Sequence, residues 1–262
     1  MSETTVESLP NERRFYLKEL GLILIQPWQT FRALHAEDRA TWLTPMLLLS
    51  LTLIGLSLVT GRLRQQAAQM GEIELPPNFE FLTPEQQAQF FQTMELTSGP
   101  VFVYVLPSLG GLVALWIGWV IASGALHLLL TLLGGRGESA LTSNVVAWAL
   151  LPFAVRDVVR AVAQLGSGQL IEAAGLSGFA PLDGAAAAFL AGLLALVDLY
   201  LIWHVVLLFI GIRTGQPGLA RLRVLLAVIG VVLAMMLGQA GLAWARAALG
   251  GLSVNGPFFF GF

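Results

Sequence analysis

The sequence contains no cysteine, which excludes a disulfide framework and any thiolate metal centre. Charge is scarce as well. Asp, Glu, Lys and Arg make up 11% of the chain, against about 25% in an ordinary soluble domain. The formal net charge is −2, so no basic field is available to hold nucleic acid. Catalytic signatures are missing too: there is no His-Glu-x-x-His pair for zinc, no Gly-x-Ser-x-Gly elbow for a nucleophilic serine, and no Gly-x-x-x-x-Gly-Lys phosphate loop. Met1 to Pro10 is acidic and polar, and no apolar core with a small-residue cleavage site follows it, so no secretory leader is expected. These absences lead to the expectation of a non-enzymatic protein without cofactor or metal.

What is present is apolar. Hydrophobic residues make up 56% of the chain and the mean hydropathy is +0.76, more than a soluble fold of 262 residues can hide. From Leu96 to Gly135 there is no charged residue, and a second apolar run, Ser139 to Val155, follows the turn Gly134-Gly135-Arg136-Gly137-Glu138. An apolar run of about 18 or more residues is the signature of a membrane-spanning helix. Two such runs joined by a glycine turn cross a bilayer and return.

The chain divides as follows. Residues 1–11 form a tail with little to bury, read as disordered. Residues 12–39 are an amphipathic interfacial segment, with Arg13, Arg14 and Lys18 beside Phe15, Leu17 and Ile23, then Pro27-Trp28 opening a second short helix. Residues 40–250 form an all-α bundle of five transmembrane helices, with spans at about 42–61, 100–133, 139–165, 185–212 and 224–245. Residues 251–262 are an aromatic tail. Between the first two spans lies an acidic excursion, Arg62 to Gly99, read as a solvated connection in preference to a lid. Thr83-Pro84-Glu85-Gln86 within it carries the marks of a capped helix start. Pro107 is placed to bend the second span, and Pro152 to kink the third.

Gly110, Ala114, Gly118 and Ala122 recur every four residues on the second span, and Gly230, Ala234 and Gly238 do so on the fifth. Such small-residue faces let another helix approach closely, within the chain or between chains. The expected partners are therefore the lipid bilayer and other membrane proteins or a second copy. With the N-terminus inside, nine Lys and Arg fall on the cytoplasmic side and five outside. The positive-inside rule then predicts a multi-pass cell-membrane protein with its N-terminus cytoplasmic and its C-terminus outside.

Ionisable and strongly polar groups at membrane depth are costly, so each is a candidate site. Counted at about 1.5 Å per residue, His127, His204 and Asn144 fall at similar depth and are expected to form one inner polar layer. Asp198 and Arg156 share a level nearer the outside, which predicts an ion pair. Two readings of these groups stand open: a pair that fixes helix register with histidines bonded to backbone carbonyls, or a proton or ion path. Two histidines without a carboxylate at their level make a poor metal site. Arg156, Asp157 and Arg160 read as a locally paired cluster snorkelling at the boundary.

Three stretches together resemble the Yip1 domain family of five-helix membrane proteins. They are Gln26-Pro27-Trp28-Gln29-Thr30-Phe31; Gly134 to Ser139 with Val146-Ala147-Trp148-Ala149-Leu150-Leu151-Pro152; and Leu201-Ile202-Trp203-His204 through Ile210-Gly211-Ile212. The likeness runs from about Leu20 to Leu242 and is that of a prokaryotic-type member. It implies a membrane adaptor or organiser. Eukaryotic relatives engage small GTPases through cytoplasmic N-terminal regions, but their Asp-Leu-Tyr-Gly-Pro motif is absent here. The expected function is a non-enzymatic scaffold, adaptor or accessory subunit of a membrane complex. The alternative is a small transporter or channel using Asp198, His127 and His204.

Overall fold

The computed structural model describes residues 15–37, 39–69, 79–171, 175–180 and 185–249. The two terminal tails, Arg13, Arg14 and the Pro76-Pro77-Asn78 turn of the excursion lie outside the described residues. Among the described residues every regular element is helical. Two short helices come first, α1 (Leu17–Ile25) and α2 (Pro27–His35), the latter opened by Pro27 in its first turn. Then come α3 (Leu43–Gln69), α4 (Pro84–Thr97), α5 (Leu106–Leu132), α6 (Ser139–Ala149), α7 (Leu151–Ser167), α8 (Ala185–Leu194), α9 (Leu199–Gly215) and α10 (Arg221–Leu249).

Three segments are long and apolar enough to cross a membrane: Leu43–Ala67, Val101–Leu132 and Arg221–Ala245. The pair α8 and α9, bent by 61° at its break, makes a fourth if counted as one span. The stretch expected as one kinked span over 139–165 is instead two helices that meet at Leu150–Leu151. Pro152 lies in the first turn of α7, where its missing N–H is not needed. The fourth span, expected to be continuous, stops at Leu194 and restarts after Asp198. Before Pro107 the chain makes one π-helical turn, Val101–Val105, with the Leu106 N–H reaching back to the Val101 carbonyl. α4 starts as the sequence indicates: the Thr83 N–H donates to Gln86 Oε1 at 3.0 Å, and the Gln86 N–H to Thr83 Oγ1 at 3.3 Å. A three-residue 3-10 turn, Phe79–Phe81, precedes it, and Phe79, Phe90 and Phe91 stack edge-to-face at 5.4 to 5.8 Å.

The main core joins α1, α2, α5, α6, α9 and α10 through Ile23, Phe31, Trp148, Leu207, Ile212 and Val228. A second core around Met46, Leu49, Leu115 and Ala154 joins α3 to α5, α6 and α7. On α5, Gly110 and Ala114 are buried, and Gly118 comes within reach of Met235 on α10. On α10 the expected ladder divides. Gly230 faces Leu129, whereas Ala234 is exposed and Gly238 meets nothing within 4 Å. α10 rolls this face outward because α8 takes its other side, where a Cβ on Gly192 would meet Ala243 Cβ at 2.8 Å and Ala240 Cα at 3.2 Å. The face of Ala234 and Gly238 therefore packs against no helix of the described bundle.

Gly211 marks the tightest point of the main core that a substitution can probe. A Cβ there would fall 2.5 Å from Val145 Cγ1 and 2.9 Å from Phe31 Cζ. Neither neighbour is a flexible chain end, so Gly211→Ala is expected to destabilise by about 1–3 kcal/mol through overpacking. Gly238→Ala, with open space around it, is expected to be neutral or slightly stabilising. Denaturant unfolding in micelles checks both; equal midpoints for the two variants would refute the packing account.

Candidate functional site

The polar groups of the bundle collect where helices break. At the first break the Phe153 N–H bonds the Leu150 carbonyl, three residues back. The Ala149 carbonyl, released from the usual four-residue pattern, accepts from His204 Nδ1 of α9 at 2.7 Å. That bond fixes the proton on Nδ1, because a carbonyl only accepts. His204 is buried, with its ring 5.2 Å from that of Phe153.

The second break is handled from the other side. Asp198 caps α9, its Oδ1 accepting from the Leu201 N–H at 2.8 Å. Its Oδ2 faces Arg156 Nη1 of α7 at 3.5 Å. The last carbonyls of α8 are met by an earlier loop: the Leu176 N–H donates to the Leu194 carbonyl at 2.9 Å. Gly175, at φ +52°, lies so close that a Cβ would sit within 2.9 Å of the carbonyl oxygens of Leu194, Ala195 and Val197. Thus α9 supplies the donor for the break in the α6–α7 pair, and α7 supplies the counter-charge at the break before α9.

Around Arg156 lies a buried cluster. Its guanidinium rests 4.8 Å from the Phe153 ring centre, and Nε is 3.9 Å from Asp157 Oδ1. Arg160 Nη2 donates to the Ile171 carbonyl at 3.3 Å, and Thr60 Oγ1 of α3 donates to Gln164 Oε1 at 3.0 Å. Arg156 Nε and Nη2, and Arg160 Nε, are buried without a hydrogen-bond acceptor among the described residues. The expectation of a snorkelling cluster is overturned here: Arg156 is 4% exposed and Asp157 6%. α7 turns its charges inward and shows Val158, Val159, Val162 and Leu165 outside, the orientation that lipid favours.

The three residues expected in one inner layer are held separately. Asn144 Oδ1 accepts from the N–H groups of Thr41 (2.9 Å) and Trp42 (3.1 Å), and its Nδ2 donates to the Arg39 carbonyl at 2.8 Å. It secures the chain entering α3, helped by Trp148 Nε1 on Thr41 Oγ1 at 3.0 Å. His127 is half-buried, and its Nδ1 has no partner among the described residues. No bond among the described residues joins it to Asn144 or His204.

Two groups were not singled out in the sequence. Gln164 follows Arg156 and Arg160 at four-residue spacing, a signal that would have revealed an inward polar stripe. His35 gave no such signal, since its partners, the Gly211 carbonyl at 3.0 Å and Thr214 Oγ1 at 3.1 Å, lie on α9.

A model of the Yip1 domain matches residues 21–242. The chain belongs to the Yip1 domain family. No curated protein and no solved structure matches it. In this Yip1 domain the three stretches that carry the likeness meet in one core, which holds Phe31, Val146, Trp148, Ile210 and Ile212. The glycine turn is docked as well, since a Cβ at Gly135 or Gly137 would run into the buried Gln216 amide at 2.6 and 2.3 Å. The shared residues thus lie in the packing core and at a turn.

His35 supplies a pH test. Burial holds its imidazole below the ordinary value of 6.5, outweighing the upward pull of the Gly211 carbonyl bond. The unfolded chain takes up the proton first as pH falls, so the stability conferred by neutral His35 is complete above 6.5 and lost below it. Between pH 7.5 and 5.5, wild type is expected to lose more stability than His35→Gln, measured by unfolding in nonionic micelles. Equal losses would show that His35 does not titrate in the contact.

Proposed function

We propose that this Yip1 domain protein is a non-enzymatic membrane scaffold, adaptor or accessory subunit. One observation carries the reading. His204, Asn144, Gln164 and Asp198 each bond a neighbouring backbone or side chain, while the outward faces of α3, α5 and α10 are apolar, including Leu51, Ile117 and Leu233. Such a bundle holds its own helices and offers lipid-depth faces to a partner. The α10 face at Ala234 and Gly238 is the natural place for another helix.

The same chain is read as crossing the bilayer five times, through α3, α5, α6 with α7, α8 with α9, and α10, with α1 and α2 along the inner surface. The sorting of contacts supports this. His35 with Gly211, Asn144 with Arg39, Gln216 with Gly135 and Arg223 with Leu133 share one end. Tyr104 with Gln65, Thr60 with Gln164, Arg160 with Ile171 and Leu176 with Leu194 share the other. The nine-to-five distribution of Lys and Arg supports a reading in which the first end, and the N-terminus, face the cytoplasm of a cell-membrane protein. The chain has no native cysteine, so Gln89→Cys and Gly218→Cys can each be labelled alone. An impermeant maleimide is expected to reach position 89 in intact cells and position 218 only after permeabilisation. The reverse pattern would invert the orientation, and labelling of both would break the span count.

Transport is the second reading, and one observation favours it: buried Arg156 and Arg160 nitrogens beside Asp198 that have no hydrogen-bond acceptor among the described residues. Against it, His127 and His204 do not join that cluster. In proteoliposomes carrying a pH-sensitive dye, proton flux of wild type and of Asp198→Asn is expected to equal that of empty liposomes. Flux in wild type that Asp198→Asn abolishes would replace the scaffold reading with a transporter.

A further inference from the structure

The excursion between α3 and α5 carries a surface that the bundle does not use. Phe79, Phe90 and Phe91 form a three-ring cluster. Gln87 Nε2 ties α4 to the preceding turn by donating to the carbonyls of Phe79 (3.1 Å) and Leu82 (3.3 Å). Phe91 is nevertheless 48% exposed, and Phe81, at the edge of the cluster, is 86% exposed. An exposed aromatic group of this kind on an anchored hairpin calls for a covering phase.

The neighbouring helices give its level. The apolar segment Val101–Leu132 has 32 residues, or about 48 Å of helix, against about 30 Å of hydrocarbon and 40–45 Å with headgroups. It is therefore long enough for its first turns to reach the headgroup zone. Tyr104 marks that zone: its hydroxyl donates to Gln65 Oε1 at 2.8 Å, next to the exposed Arg62 and Arg64 at the end of the apolar part of α3. Val101 lies three residues before Tyr104, and α4 ends at Thr97, four residues before Val101. The exposed side chains continue from the hairpin into the outward face of α5, through Val101, Phe102, Val105 and Leu109. The ring cluster thus lies on the segment that leads directly into this apolar face.

We infer that the α4 hairpin is an interfacial anchor that lays Phe81 and Phe91 into the headgroup–acyl boundary of the bilayer, rather than a solvated connection. The exposed Glu80 and Glu85 suit a zwitterionic surface and disfavour an anionic one. The inference rests on the reading of α3 and α5 as membrane spans.

Single nitroxide labels test it in phosphatidylcholine liposomes. They are placed through Phe81→Cys and Phe91→Cys on the ring side, Gln89→Cys on the opposite side of α4, and Leu109→Cys on α5. Collision with oxygen, which concentrates in lipid, is compared with collision with a water-soluble nickel chelate. The ratio of oxygen to nickel accessibility is expected to be several-fold higher at 81 and 91 than at 89, and highest at 109. A high ratio at 109 with ratios at 81 and 91 equal to that at 89 overturns the anchor and leaves the spans standing. A low ratio at 109 overturns the spans themselves. Spin–spin broadening at 81 that disappears on dilution with unlabelled protein would place a second copy on the patch and overturn the lipid assignment. Phe81 is so exposed that its replacement leaves the cluster intact, so the test does not depend on the packing of Phe91.

Discussion

A helix that breaks inside an apolar bundle releases backbone groups where no water can take them, and each must find a partner within the protein. This chain breaks two neighbouring helix pairs and lets each repair the other. α6 and α7 part around Leu150, and the Ala149 carbonyl is taken by His204 from α9. α8 and α9 part before Asp198, and the carboxylate that caps α9 is matched by Arg156 from α7. The two contacts run antiparallel, Ala149 with His204 and Arg156 with Asp198, so a slip of either helix along the other breaks both. Phe153 lies between them, against the His204 ring and under the Arg156 guanidinium. A substitution at Phe153 therefore acts on both breaks.

The same constraint explains why the family likeness is carried by short, scattered stretches. Pro27 opens α2 and puts Phe31 against Gly211, which has no side chain to hold it off. The glycines at 135 and 137 make room for Gln216, and Pro152 sits where the break has removed the need for its N–H. Each is a local answer to a backbone or packing problem, separated in sequence and adjacent in the fold. What these residues specify is architecture.

Much of this was legible in the sequence wherever a local rule decides. The long apolar runs, the Thr83 and Gln86 cap and the common level of Arg156 and Asp198 follow from hydropathy, hydrogen-bonding chemistry and a fixed rise per residue. What was not legible depends on distant partners. Asp198 in an apolar run can point sideways from a continuous helix or cap a new one. The loop at Gly175 and Leu176, about twenty residues earlier, decides the matter by covering the end of α8. The stripe on α7 shows that Arg156, Arg160 and Gln164 share a face, but whether it turns to headgroups or inward depends on Thr60 and Asp198. Asn144 had a depth but no visible partner, because its three bonds go to backbone groups about a hundred residues away. On α10 the spacing of Gly230, Ala234 and Gly238 identified a face and could not say that α8 would occupy a different one.

The cluster at the α8–α9 break differs in kind from the contact at the α6–α7 break. His204 and the Ala149 carbonyl meet at 2.7 Å, which leaves no slack. Arg156 stands 3.5 Å from Asp198 and 3.9 Å from Asp157, longer than the 2.7–2.9 Å of a close charged pair, and its Nε and Nη2 have no hydrogen-bond acceptor among the described residues. Two arginines and two aspartates balance to zero, so the cluster tolerates burial as a unit, while loss of one member leaves an uncompensated charge. The 61° bend between α8 and α9 lies at this loosely held level. By contrast, loss of the His204 contact would strand the Ala149 carbonyl in an apolar interior.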